Sequence, residues 1–337
     1  MSKVYFTPSG DAREVGQDAG VIEALWNEAR LGACFGEKDL AALKLHVGEP
    51  GKTTQVRPAA AAALVRLMRS CGARPFLTDT AVLYRSARDN GVGHARVAHD
   101  NGFTLEAVGA PFIPADGLRG SQEMEIEVGG RHFAAAAIAT AIVEARSMLV
   151  LSHATGHLGT GFGGALKNLG MGCCSKKGKL RQHHGHEPSI DPDACTACST
   201  CAEWCPEGAI TVEAHAAIDS SACIGCGECI ASCLEGAVTF DWGIMGVQLG
   251  ERIVEHAAAV VRGKPGRIAY VTVAEKITKD CDCIAGAQEP IMPDVGVLAS
   301  LDPVAIDQAV HDLIVVRAGR TIEDMSYPSR DGTVQMR

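Results

Sequence analysis

The sequence predicts an α/β protein interrupted by a small cysteine-rich module. Three observations lead there. Apolar runs of strand length alternate with amphipathic stretches of helix length. Aromatic residues make up only 4% of the 337 residues while glycine supplies 38, and alanine runs recur at 59–63 and 134–137. That composition suits helices packed closely on a sheet better than an aromatic-rich sandwich. Eight of the 14 cysteines crowd into one short stretch.

Val4 to Phe6 reads as a strand, about Asp18 to Leu31 as a helix, and Leu40 to Val47 as a strand. About Pro58 to Cys71 reads as a helix and Pro75 to Thr80 as a strand, which completes a βαβαβ order. A helix near Gly91 to Gly102 follows. Met124 to Val128 and Arg131 to Phe133, joined by Gly129-Gly130, read as a hairpin. Ala134 to Arg146 reads as a buried helix, and Ser147 to Ser152 as a buried strand that opens into the glycine-rich segment Gly156 to Gly172. Lys176 to Glu187 turns basic and histidine-rich, which marks a domain boundary. Beyond Trp242 the alternation resumes with helix Val247 to Val261, strand Arg267 to Val273, a Cys-Asp-Cys loop, strand Val295 to Ser300, and helix Pro303 to Val316 behind Asp302. The expected host is therefore discontinuous, residues 1–187 plus 243–325, with a parallel or mixed sheet flanked by helices. Residues 188–242 form the insert and 326–337 a C-terminal tail.

A net charge of -9 argues against nucleic acid or an anionic membrane surface as partner. The first residues lack an apolar export segment, and the longest apolar run, Ala134 to Val143, is too short to span a bilayer. A cytoplasmic protein is expected, so the clustered cysteines read as metal ligands rather than disulfides.

Cys195-x2-Cys198-x2-Cys201-x3-Cys205-Pro206 reproduces the bacterial ferredoxin run, and Cys223-x2-Cys226-x2-Cys229-x3-Cys233 repeats it. Gly208-Ala209-Ile210 matches Gly236-Ala237-Val238, and Asp193-Ala194 echoes Ser221-Ala222, so each half is one duplicated unit. The short spacing wraps three thiolates round one cubane face and sends the fourth to the other cluster. Cys195, Cys198, Cys201 and Cys233 are then expected to hold one [4Fe-4S] cluster, and Cys223, Cys226, Cys229 and Cys205 a second. Zinc also binds paired Cys-x-x-Cys, but zinc ribbons do not need the third and fourth cysteines at this spacing. Leu234 stands where a proline is expected after the second run, which alters a turn and removes no ligand. The insert is thus expected to be a small α+β dicluster ferredoxin-like domain, a one-electron wire with no substrate chemistry of its own.

In the host, Ser152 to Gly172 sets His153, His157, Lys167 and Asn168 among glycines beyond a strand. Glycines let backbone amides approach an anion, and Lys167 and Asn168 near a helix start suit a phosphate or carboxylate; the other reading is a glycine-rich packing turn. Gly159-x-Gly161-x-x-Gly164 matches a dinucleotide fingerprint but trails its strand, and His184 stands where the acidic partner belongs, so NAD is not expected. Gly51-Lys52-Thr53 lacks the first P-loop glycine, since His46 occupies that position, so ATP is not expected. Lys44, His46 and Asp79-Thr80 sit at strand ends, where α/β proteins bind ligands.

Lys44-Leu45-His46-Val47-Gly48-Glu49, the Gly161 to Gly172 run, Gly172-Cys173-Cys174-Ser175-Lys176-Lys177-Gly178-Lys179, Asp280-Cys281-Asp282-Cys283 and Asp294 to Asp307 resemble the domain-of-unknown-function 362 family over nearly the whole chain. The resemblance implies an iron-sulfur protein with a ferredoxin insert at this place and an unsettled reaction. The family's cysteine after Gly-Met-Gly maps to Cys173 and its Cys-x-Cys to Cys281 and Cys283, while Cys174 stands where alanine is common. Cys173, Cys281 and Cys283, with His153, His157 or His183, are open to three readings: an additional metal ion, redox thiols, or small buried packers. Cys34 and Cys71 read as packers, and His183, His184 and His186 as part of a solvated hinge.

The leading expectation is a reductase. An electron donor protein charges the clusters, and electrons pass to a small anionic substrate or cofactor held around His153, His157, Lys167, Asn168, Lys44 and His46. The alternatives are a non-enzymatic electron carrier or adaptor for an acceptor protein, and a metal or cluster-maturation factor using the Cys281-Asp282-Cys283 loop. A closed pocket joining the histidine-glycine segment to that loop favours the enzyme; a flat apolar patch near Trp242 favours the adaptor.

Overall fold

The structure, a computed structural model, describes residues 2–10, 15–183, 188–240 and 243–326. His184, His186, Trp242 and the tail beyond Ser326 lie outside the described residues.

Strand β1 (Val4–Pro8) leads to helix α1 (Ala19–Glu28), where the Asp18 carboxylate accepts from the Gly20 and Val21 amides. β2 (Leu40–Lys44), α2 (Pro58–Ser70) and β3 (Arg74–Thr78) form a parallel unit; Pro58 opens α2 where its missing N–H costs nothing. α3 (Gly91–Asp100) and α4 (Leu105–Val108) precede a hairpin of β4 (Glu123–Glu127) and β5 (Ala135–Ala139). Next come α5 (Thr140–Glu144), β6 (Ser147–His153), the ribbon β7 (Thr155–His157) with β8 (Gly161–Gly163), α6 (Ala165–Gly170) and α7 (Lys176–His183). The cysteine-rich stretch carries β9 (Ser189–Ile190), α8 (Thr200–Glu203), β10 (Ile210–Val212), β11 (Ala216–Ile218), α9 (Glu228–Ser232) and β12 (Val238–Thr239). The chain ends with α10 (Gly246–Arg262), β13 (Ile268–Ala274), β14 (Gly296–Ser300), α11 (Pro303–Ala318) and α12 (Ile322–Ser326).

Six strands form one mixed sheet in the order β1-β14-β13-β6-β2-β3. The four from β13 to β3 are parallel, and β14 and β1 run antiparallel to their neighbours. The pleat sends alternate residues to opposite faces. Leu43, Leu149, Leu151 and Val271 pack with α1 and α2 on one side, while Ala42, Met148, Val150 and Tyr270 pack with α6, α10 and α11 on the other. Burial on both faces explains why these strands are continuous apolar runs. From β2 the chain moves outward to β3, then returns to β6 on the other side of β2. That reversal opens a crevice beyond the carboxyl ends of β2 and β6. Among the described residues no helix is long and apolar enough to cross a membrane.

Two expectations are corrected. Ala135–Ala139 is a strand paired with β4, and only Thr140–Glu144 coils. Arg131 to Phe133 lie in the turn, where Gly130 N donates to Phe133 O at 2.8 Å. The Glu255 carboxylate of α10 fixes that turn by accepting from the Arg131 and Phe133 amides at 2.7 and 2.9 Å. Helix propensity of the alanines yields to strand pairing, because small side chains let α10 close over them. Lys176–His183 is likewise no solvated hinge but a helix with Lys176, Lys179, Gln182 and His183 buried. The Lys179 ammonium donates to Thr80 Oγ1, Ala81 O and Cys174 O at 2.6, 2.7 and 2.9 Å. A basic segment can be buried when its donors are answered internally.

Helix α6 carries Lys167 and Asn168 and lies hard against α10: a methyl at Gly170 would stand 2.0 Å from Ile253 O. Gly170→Ala is expected to lower stability by about 2 kcal/mol or more, read as a shift of the urea midpoint at unchanged slope.

Candidate functional site

A cavity of about 500 Å³ occupies the crevice beyond the parallel strands. Its wall takes Lys44 and His46 from the end of β2 and the loop after it, Asp79 and Thr80 from beyond β3, and His153 from the end of β6. His157, Lys167 and Asn168 come from β7 and α6, and Cys281 to Cys283 from the loop after β13. All six candidate catalytic residues line this one space, and it joins the histidine-glycine segment to the Cys-x-Cys loop.

Its centre is a buried ion pair. Lys44 Nζ lies 2.8 Å from Asp79 Oδ1, with the side chains only 1% and 4% exposed. The same ammonium donates to Asn168 Oδ1 at 2.6 Å, and Asn168 Nδ2 donates to Leu151 O and Ser152 Oγ, each at 3.1 Å. Asn168 therefore spans β2 and β6 across the crevice. Burial opposes the Asp79 charge, but Lys44, His94 and His46 outweigh it and hold the carboxyl well below the usual range. Arg88, wholly buried, adds contacts to Glu49 Oε1 at 2.7 Å and Asp79 Oδ2 at 3.4 Å, so two cations answer two carboxylates.

The histidines differ in what they offer. His153 is saturated: Nδ1 lies 2.9 Å from Asp282 Oδ2 and Nε2 2.8 Å from the Glu275 carbonyl. Burial disfavours its charge, but Asp282 overcomes this and raises its pKa, while Asp282 itself is lowered to about 2, against its burial, chiefly by His153. His153 is thus a clamp on the Cys-x-Cys loop. His157 Nδ1 faces the Gly159 and Thr160 amides at 3.2 and 3.1 Å. An amide N–H only donates, so Nδ1 is the acceptor and the ring proton sits on Nε2. Burial, with Lys167 and His183, keeps that ring neutral. His46 Nδ1 accepts from Gly48 N at 3.0 Å and is held neutral by burial and Arg88.

Lys167 is lowered to about 8, by burial first. Its Nζ lies 3.9 Å from Cys283 Sγ, and among the described residues no carboxylate pairs with it. Cys281 and Cys283 are joined by a disulfide, and His157 is the residue whose ring nitrogen lies within 4.8 Å of both sulfurs. Cys173, expected beside them, is instead buried with Sγ 3.7 Å from Asn168 O, and burial pushes its thiol up to about 11. Cys174 is buried against Gly170 O, and Cys34 is buried in the core.

Sequence reasoning missed several supports. Asp307 of α11 accepts from the Ala165 and Leu166 amides at 2.7 and 2.9 Å and so caps α6 from a distant part of the chain. Tyr84 Oη donates to Cys283 O at 2.6 Å. Nothing local in the sequence announces either pairing; only the Asp294 to Asp307 resemblance touches one of them.

In the cysteine-rich stretch, Cys195, Cys198, Cys201 and Cys233 line one small cavity, and Cys205, Cys223, Cys226 and Cys229 line another. Backbone amides of Ala209, Ala216 and Ala237 point at Cys205, Cys195 and Cys233 sulfurs at 3.2, 3.4 and 3.3 Å. This stretch rests on the host through Arg119, whose guanidinium lies 3.3 Å from the centre of the Trp204 ring, and through α9 packed on α7. Gly227 of the second set sits beside Lys176 and Leu180, while Lys179 and His183 of the same helix line the large cavity.

A family model described as a domain of unknown function, DUF362, matches residues 41–312. Among curated proteins, none matches the chain. A solved structure, the lactate racemase apoprotein from Thermoanaerobacterium thermosaccharolyticum, is similar at 13% identity and a TM-score of 0.41; the alignment covers 81% of this chain and 50% of that one, so the chain spans about half its length.

The His153–Asp282 clamp makes loop stability depend on pH. A histidine raised above 6.5 contributes fully below that value and loses its contribution as pH rises through the folded pKa; an aspartate lowered from 3.8 to about 2 contributes above 3.8 and loses it as pH falls through about 2. The stability lost in His153→Gln is therefore expected to be greatest between about pH 4 and 6.5 and to shrink on either side, measured by urea unfolding across pH.

Proposed function

The chain belongs to the family described as a domain of unknown function, DUF362, and we propose that it is an iron-sulfur reductase acting on a small anionic substrate. The observation that carries this reading is the cavity. It gathers a cation that has no carboxylate partner among the described residues, two neutral histidines of fixed tautomer and a disulfide, all one helix away from a set of four cysteines.

The cysteine geometry suits [4Fe-4S] clusters better than zinc. Each cavity is lined by three cysteines of one run and the fourth of the other, the crossed arrangement of dicluster ferredoxins. Amides aimed at the sulfurs are the contacts that tune such clusters. Cys195, Cys198, Cys201 and Cys233 would hold one and Cys205, Cys223, Cys226 and Cys229 the other, supplying one-electron transfer at low potential.

Within the cavity, the Lys167 ammonium and the Nε2 protons of His157 and His46 are donors for a carboxylate or phosphate. Lys44 and Arg88 are already matched by Asp79 and Glu49 and serve as scaffold. Val82, Leu83, Leu158, Met245 and Ile284 supply an apolar lining that limits water and strengthens those contacts. An electron donor protein would meet the cysteine-rich stretch, where Leu234 and Ile224 are 84% and 49% exposed beside the ligand runs. The carrier reading leaves the cavity without a use, and Trp242, on which the adaptor reading turned, lies outside the described residues.

Anaerobically purified protein is expected to contain about eight irons and eight acid-labile sulfides, with a cluster EPR signal after dithionite. Two zinc ions and no sulfide would end the reading. Carboxylate and phosphate compounds can then be screened for reoxidation of the reduced protein; Lys167→Met should slow reoxidation by an active compound at least about tenfold.

A further inference from the structure

We infer that Cys281 and Cys283 are the redox couple of the cavity, opening to a dithiol and closing to a disulfide beneath the bound substrate. The inference deepens the reductase reading and rests on it for its source of electrons. The three open readings of these cysteines, metal ligands, redox thiols or packers, are separated by their surroundings.

Packing is the weakest. The pair faces the cavity, with Cys283 half-buried, and already forms the bond. The loop does not depend on that bond for its position. Asp282 is held by His153, the Cys283 carbonyl by Tyr84, and the Ile284 carbonyl by Lys52 at 3.4 Å. A disulfide whose loop is anchored through backbone and neighbouring side chains can break and re-form with little movement.

Metal ligation is opposed by the tautomer of His157. The Gly159 and Thr160 amides donate to Nδ1 and the ring proton sits on Nε2, so neither ring nitrogen offers a metal a free lone pair. Ligating a metal through Nε2 would move that proton to Nδ1, against two N–H donors. A metal-bound histidine normally has the reverse arrangement, donating from its second nitrogen to an acceptor. The Lys167 ammonium lies 3.9 Å from Cys283 Sγ, placed to stabilise a thiolate there and to return a proton to it.

The Cys281–Cys283 bond breaks, two electrons and two protons are taken up, and two thiols form. The electrons come from a low-potential one-electron donor, two equivalents per bond, and the protons from solvent by way of Lys167. Closing the bond returns two electrons and two protons to the anionic substrate in the cavity.

The test is a thiol count rather than an activity. Anaerobic protein is treated with two equivalents of reduced methyl viologen, or separately with dithiothreitol, quenched in denaturant with N-ethylmaleimide, and the peptide containing both cysteines is weighed. Two labels gained with viologen, and lost again on reoxidation, support the couple and its supply. Two labels gained with dithiothreitol alone support the couple but count against the electron supply, and so against the reductase reading. No label gained with either reductant, or two free thiols that persist after reoxidation, overturns the inference; an iron count of eight in the same sample would leave the cluster reading standing.

Discussion

A lysine ammonium that is 1% exposed must find its counter-charge inside the protein, and the carboxyl edge of the sheet is built to supply it. Asp79 reaches Lys44 from the neighbouring strand, and Asn168 reaches it from α6 while holding β6. Arg88 and Glu49 extend the balance. These contacts tie α6 to the carboxyl ends of β2 and β6, which the sheet ladder already holds side by side. Lys167 immediately precedes Asn168 on the same short helix, so the helix that Asn168 anchors also carries Lys167 to the cavity wall. Asp307 completes the arrangement by holding the first amides of α6 from below.

Much of this was legible in the chain. The crossed grouping expected of the cysteine runs matches their placement, three of one run and the fourth of the other lining each cavity. The α/β alternation and the strand-end position of Lys44 could be read because a parallel sheet covered on both faces needs unbroken apolar runs with polar residues only at their ends. Where reading failed, the deciding contact lay far along the chain. The alanines at 135–139 have helix propensity, and only β4 and α10 make them a strand. Lys176–His183 has the composition of a solvated linker, and only the Thr80, Ala81 and Cys174 acceptors bury it. Of the residues grouped with the Cys-x-Cys loop from the sequence, His157 lies beside the two sulfurs.

The histidines illustrate why residue type is a poor guide to role. Four of them line one cavity, and the rings of His46, His153 and His157 are each assigned by their partners. A carboxylate and a carbonyl take both nitrogens of His153, while backbone amides turn His157 and His46 into donors toward the open space. The distinction rests on which neighbour can only give a hydrogen and which can only receive one.

Helix α7 belongs to two neighbours at once. One side meets α9 and the second set of cysteines, and the other presents Lys179 and His183 to the cavity. One short helix thus forms part of the wall on both sides, and a substitution on it faces two sets of neighbours rather than one.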